Sequence, residues 1–202
     1  MKQRSTRIRR LVAGLAILSA LALPFSLAAQ ERMVALDPTK TTVQFTLGDI
    51  LHTVHGRFQL KQGSIVFDPS TGKASGTVVV DANSGDSGSS KRDKRMKRDI
   101  LEADKYPDIS FSPTEIVEGK VAPQGNSQVQ LRGMFRLHGG DHEIVIPVPV
   151  AIQGDQLTAR MHFVIPYVAW GLKNPSTLFL RVSDKVNIDI TATGHLAASA
   201  AQ

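Results

Sequence analysis

The 202-residue chain contains no cysteine, a single tryptophan and two tyrosines. Without thiols it has no disulfide framework, no thiolate nucleophile and no cysteine-based metal site, so its own apolar core must hold it together. Beyond Leu27 there is no long uncharged apolar run. A large excess of either charge is also missing once the N-terminus is set aside. Lys2, Arg4, Arg7, Arg9 and Arg10 precede the uncharged stretch Leu11–Leu27, and Ser26-Leu27-Ala28-Ala29 supplies small residues where a signal peptidase cuts. A basic start, a short apolar run and a small-residue site predict a cleaved secretory signal peptide over residues 1–28. The run is at the lower length limit for an uncleaved anchor helix. The whole chain carries 24 basic and 18 acidic residues, a net +6; removing the leader takes five basic and no acidic residues, leaving 19 against 18. No global basic field remains to attract nucleic acid.

What is present is alternation. Val43, Phe45 and Leu47 alternate with Thr42, Gln44 and Thr46; Val54, Phe58 and Leu60 share a face; so do Val129, Leu131, Phe135 and Leu137, and Val186, Ile188 and Ile190. Period-two patterning gives each strand one buried and one wet face. Asp68-Pro69 and Gly72 separate two further strands by a turn, and "HEIVIPVPVAI" and "LTARMHFVIPYV" supply two more. Pro147 and Pro149 suit an edge or bulged strand. Many strands joined by short turns predict an all-β, antiparallel sandwich or barrel formed by residues 29–202 as a single domain, with a frayed tail "HLAASAAQ".

Residues 91–105 break the alternation. They hold seven Lys or Arg and four Asp or Glu, and Met96 to Ile100 is the i to i+4 spacing of a helix face. Ser90 followed by Asp93 resembles a capping box, and Pro107 blocks continuation, which predicts a short surface helix of about three turns. The segment has no aromatic residue to stack on a base. Its basic run reads as a solvated helix face, or as a transient contact with a membrane surface. Gly85-Asp86-Ser87-Gly88 matches the nucleophile motif of a serine protease over four residues only; a Gly/Ser loop is the expected structure.

Other chemistry is confined to polar turns. His138, Asp141 and His142 lie around a Gly-Gly turn, and His52 and His55 at a strand entrance. They suggest an exported enzyme or metal protein, against the ordinary expectation of surface imidazoles near hairpins. Tyr167 and Trp170 sit in irregular sequence between strands, either plugging the core or lining a barrel mouth.

The order of these segments resembles the YceI-like family, polyisoprenoid-binding bacterial periplasmic proteins with a lipocalin-like barrel. The resemblance spans Leu36 to about Leu196. It rests on Leu36-Asp37-Pro38 before "TTVQFTL", "TVHGRF", "SGDSGSSKRDKRM" with its Arg92-Asp93, "KYPDISF", and "GMFRLHGGDHEIVIPV" with Gly133, Leu137 and Gly139. The family's histidine after the first strand is absent here, where Gly48-Asp49-Ile50 stands, and its Asp-Phe-Gly-like turn is Ala169-Trp170-Gly171. The resemblance implies a closed lipocalin-like barrel, no cofactor, no catalytic residue, and a lumen holding a polyisoprenoid, an isoprenoid quinone or a similar long-chain amphiphile in the periplasm. The residues expected to line it are Val43, Phe45, Leu47, Val54, Phe58, Phe111, Tyr167 and Trp170, with Met96, Ile100 and Leu101 as a lid. A barrel filled by its own side chains, in a structural or stress-related envelope protein, is the third alternative. A homodimer paired through an edge strand is left open.

Overall fold

A computed structural model of the chain describes residues 31–48, 53–177 and 181–198. The expected signal peptide and His52 lie outside them. Among the described residues nine antiparallel strands build the fold: β1 (Arg32–Leu36), β2 (Thr42–Gly48), β3 (Thr53–Phe67), β4 (Ala74–Asp86), β5 (Asp108–Glu118), β6 (Gly125–Leu137), β7 (Gly140–Gln153), β8 (Gln156–Ile165) and β9 (Val186–Ala198). A single helical segment between β4 and β5 consists of α1 (Ser90–Arg95) and a π-helical turn (Met96–Ile100).

Nine strands make eight staves. β1 pairs with one half of β3 and of β9, and β2 with the other half of each. The two short strands therefore form one stave, broken at residues 37–41. Thr41 and Thr193 span the break: the Thr41 hydroxyl accepts the Thr193 N–H at 3.3 Å, and Asp37 N–H donates to the Thr193 carbonyl at 2.8 Å. Both threonines are buried, so these bonds meet the demand of backbone groups removed from water. The β3–β4 ladder then closes the sheet. Closure abolishes free edges, as expected for a lipocalin-like barrel.

Several strands run further than alternation alone suggests. β3 continues through Gln62 and Gly63 as one strand, with register shifts against β4 at Arg57/Gln59 and Leu60/Gln62. The C-terminal residues 195–198 are not frayed, because β1 offers them a partner: Arg32 pairs with Ala198 and Ala35 with His195. β1 itself escaped the sequence pattern.

The proline positions have a specific consequence. β7 is flanked by two-residue turns, at His138-Gly139 and Gly154-Asp155. His138 (φ 53°) and Gly139 (φ 76°) both adopt the left-handed backbone that a mirror-image hairpin turn requires. Two-residue turns place hydrogen-bonded pairs at Leu137–Gly140 and Gln153–Gln156, so even-numbered β7 residues bond β6 and odd-numbered ones face β8. Pro147 and Pro149 are odd-numbered. The β6–β7 ladder accordingly runs unbroken from Gly125 to Leu137, whereas the β7–β8 ladder stops at Val150–Ala159. The prolines sit beside an interrupted seam, and the β4–β5 ladder is comparably short, pairing only Val78–Asp81 with Asp108–Phe111.

The helical segment also differs from its expectation. The N-cap is Ser89, not Ser90, and its side chain makes no capping bond. Asp93 turns instead toward β4. Its Oδ1 accepts the Ser87 N–H at 2.9 Å and, by a very short bond, the Ser87 hydroxyl. Arg92 Nε donates to Ser87 Oγ at 2.8 Å and its Nη2 to the Ser87 carbonyl at 2.7 Å. Ser87 is 9% exposed. The Gly85-Asp86-Ser87-Gly88 stretch is therefore the end of β4 and a tied corner, not a flexible loop, and Ser87 is bound by an aspartate and an arginine, with no imidazole bonded to it among the described residues.

Candidate functional site

The inward side chains do not fill the barrel. A cavity of about 450 Å³ occupies the half under the helical segment, within the range of small-molecule pockets. A second cavity of about 150 Å³ lies in the half that holds Val34, Phe67 and Val150. Val43, Val80, Ile109, Phe135, Phe163 and Ile190 line both and form a waist between them. Phe135 and Phe163 meet there edge to face at 6.3 Å. The two chambers thus lie end to end along one lumen.

Strand geometry supplies most of the wall. On β2 and β3, Val43, Phe45, Leu47, Val54 and Phe58 point inward by alternation. Phe45 and Phe58 pack at 5.4 Å. Gly56 lies opposite Phe45 on the paired strand, and a Cβ there would overlap the Phe45 ring; the missing side chain makes room for the ring. Met96, Ile100 and Leu101 descend from the helical segment onto the same cavity. The π-helical turn places them: Leu101 N–H donates to the Met96 carbonyl at 2.9 Å, and Leu101 is 9% exposed. Tyr167 closes the wall from the β8–β9 connection. Its hydroxyl donates to the Ser183 carbonyl at 2.6 Å, and burial, then the nearby Asp184 charge, hold its phenol above the ordinary value.

Nine of the eleven residues expected from sequence thus meet around one cavity. Phe111 lines the smaller chamber instead. Trp170 lines neither. It lies flat on His142, with ring centres 4.0 Å apart and an interplanar angle of 4°, meets the Phe135 ring at 5.8 Å, and packs against the core cluster that holds Leu101, Phe135 and Tyr167. It is partly buried, behind the wall rather than in it. Sequence reasoning overlooked Val80, Ile109, Phe163, Ile165 and Ile188, although their strands carry the same period-two signal. The basic residues Lys91, Arg92 and Arg95 are exposed, as the solvated helix face expected from sequence requires, and they also stand at the rim of the larger cavity with Ser87 and Ser89.

The polar turns offered for metal or acid–base chemistry do not converge. Asp141 receives two bonds from Arg136, at 2.6 and 2.7 Å, and these hold its carboxyl below the usual range. His138 packs on Tyr106 at 4.6 Å and lies 3.5 Å from Glu102. His142 is taken by Trp170, and His55 Nδ1 is 3.1 Å from the Thr46 hydroxyl. Among the described residues no three His, Asp or Glu side chains are grouped as a metal site would need.

The family model of the YceI-like domain matches residues 35–194. Among curated proteins, a UPF0312 protein of Vibrio campbellii is 31% identical over 136 residues, covering 66% of this chain and 68% of that one. A UPF0312 protein of Vibrio cholerae is 28% identical over 142 residues, 69% of this chain and 72% of the relative. Among solved structures, Burkholderia cenocepacia BcnA aligns with a TM-score of 0.64 at 22% identity, over 78% of this chain and 98% of its own. A polyisoprenoid binding domain from Saccharophagus degradans aligns at 0.61 and 16% identity, over 81% and 98%. At such identities the structural likeness is one of fold.

Proposed function

Since this chain belongs to the YceI-like family, we propose that it is an exported, non-catalytic carrier that holds a polyisoprenoid or similar long-chain amphiphile in its barrel lumen. The observation that carries this reading is the pair of end-to-end apolar chambers, about 450 and 150 Å³, under a helical lid. A barrel filled by its own side chains would have neither. The Saccharophagus degradans domain of the same fold is described as polyisoprenoid-binding, which favours an elongated apolar ligand here. In this reading residues 1–28 are removed on export to the periplasm and residues 29–202 form the carrier. Val43, Phe45, Leu47, Val54, Phe58 and Tyr167 make the upper wall, Met96, Ile100 and Leu101 the lid, and Phe111 the lower chamber. Trp170 acts only behind Phe135.

Binding of this kind needs no reactive group. It rests on apolar area removed from water, at about 25 cal/mol per Å² before the costs of association. Many side chains share the contact, so truncating one wall residue weakens retention without abolishing it. The test is incubation of delipidated protein with prenols and isoprenoid quinones, followed by gel filtration and native mass spectrometry. Stoichiometric co-elution is expected; a mass unchanged from the free protein after every incubation would refute the carrier.

A further inference from the structure

We propose that the ligand carries an anionic headgroup, a phosphate ester, held at the cavity rim by Lys91 and Arg95. The inference rests on the carrier reading above. Charge is distributed unevenly around the lumen. Among the described residues, every charged residue lining the larger cavity is basic, namely Lys91, Arg92 and Arg95, and all come from the start of the helical segment, while the smaller chamber has no charged lining residue. Among the described residues no carboxylate lines either one.

The neighbouring acids are already committed. Asp93 binds Ser87. Asp86 accepts from Arg57 and from the Gly88 N–H, both at 2.9 Å. Asp99 is bound in a two-pronged pair by Arg98, at 2.7 and 2.9 Å, and reaches Arg95 only through space. Arg92 is turned onto Ser87, which leaves Lys91 and Arg95 as the cations available to a ligand. Lys91 makes no hydrogen bond or ion pair among the described residues. Arg95 has a single hydrogen bond, Nη2 to the Pro175 carbonyl at 3.2 Å, which draws it across the mouth toward the β8–β9 connection.

An apolar tail in the lumen must leave its polar end at this rim. A neutral headgroup would cover two cations without compensating their lost hydration. A phosphate supplies acceptors to the lysine ammonium and the planar guanidinium together, and charge-assisted bonds are about twice as strong as neutral ones. The rim therefore selects for charge, while the lumen selects for length.

The test uses purified, delipidated protein and two probes with the same tail, farnesyl phosphate and farnesol, below their micellar concentrations, with inorganic phosphate as a third. The expected result is a preference of about tenfold or more for farnesyl phosphate, shrinking as salt rises. In Lys91→Gln/Arg95→Gln the preference falls to within about twofold, and in Lys91→Arg/Arg95→Lys, which retains both charges and controls for folding, it survives. Inorganic phosphate alone should neither bind measurably nor displace farnesyl phosphate. Equal binding of phosphate and alcohol by the unaltered protein would overturn the headgroup assignment while leaving the carrier intact. Inorganic phosphate competing as well as the prenyl ester would make the rim a free-anion site and overturn it too. Binding of neither prenyl probe would remove the carrier reading and this inference with it.

Discussion

Asp93→Ala probes whether the Ser87–Asp93–Arg92 cluster holds the lid over the lumen. The substitution removes the acceptor of two bonds from Ser87, one from a backbone N–H at 2.9 Å and one from its hydroxyl. Ser87 is 9% exposed, so water replaces the lost partner poorly. Leaving such a donor unsatisfied costs about 1–3 kcal/mol. A value near 2 kcal/mol corresponds to about a thirtyfold rise in the constant for opening the segment. The barrel ladders are untouched, since the cluster meets them only at the end of β4. Hydrogen exchange measured by mass spectrometry should therefore show faster exchange over residues 88–101 and no change over β6 and β7. If the segment instead opened only with the whole barrel, the melting temperature would drop by about 4–8 °C and all regions would exchange faster together. Unchanged exchange over 88–101 would refute the cluster as the tie of the lid. Asp93→Asn, which keeps an acceptor oxygen in place, should show a smaller effect.

Other perturbations address the lumen and the turns. Val80→Phe places a ring at the waist between the chambers. Overpacking normally costs about 1–3 kcal/mol, but the adjoining voids should reduce the loss below about 1 kcal/mol in urea unfolding, while long prenols lose affinity more than farnesol does. Tyr167→Phe should cost about 0.5–1.5 kcal/mol, from the bond to Ser183; in the unaltered protein, absorbance at alkaline pH should show a phenol ionising above the ordinary tyrosine value. Asp68 accepts from the Ser70 and Thr71 side chains and from the Ser70 N–H, which hold its carboxyl at about 2. A depressed carboxylate contributes stability above its unfolded value, here 3.8, and the contribution is lost as pH falls through the folded one. The melting-temperature gap between wild type and Asp68→Asn should therefore be constant near neutrality and close between about pH 4 and pH 2; a gap that persists at pH 2 would contradict it.

The lumen wall was legible because a closed barrel converts period-two alternation directly into an inside and an outside. Val43, Phe45, Leu47 and Phe58 needed no tertiary information. β1 was not legible: its five residues gain stability only from the half-staves of β3 and β9 left free by β2, pairings distant in sequence. The prolines of β7 marked a weakened ladder, but which neighbour they release depended on turn length and register. Trp170 was misplaced because irregular sequence carries no periodicity to say which way a ring points. Ser90 resembled a cap, yet Asp93 had a better donor in the buried Ser87 N–H. Lys91 and Arg95 are solvent-facing as expected, but that they also border a cavity mouth was not legible, because helix periodicity reports only the apolar stripe.

The claim that the lumen carries a long-chain amphiphile is tested most directly by native mass spectrometry of the protein purified from its own cell envelope without detergent exchange. The expected spectrum shows the chain without its first 28 residues plus one bound molecule, released on activation and identified after extraction as a prenyl-chain lipid, with a phosphate if the rim acts as inferred. A clean unliganded mass, together with no uptake of prenyl lipids afterwards, would contradict it.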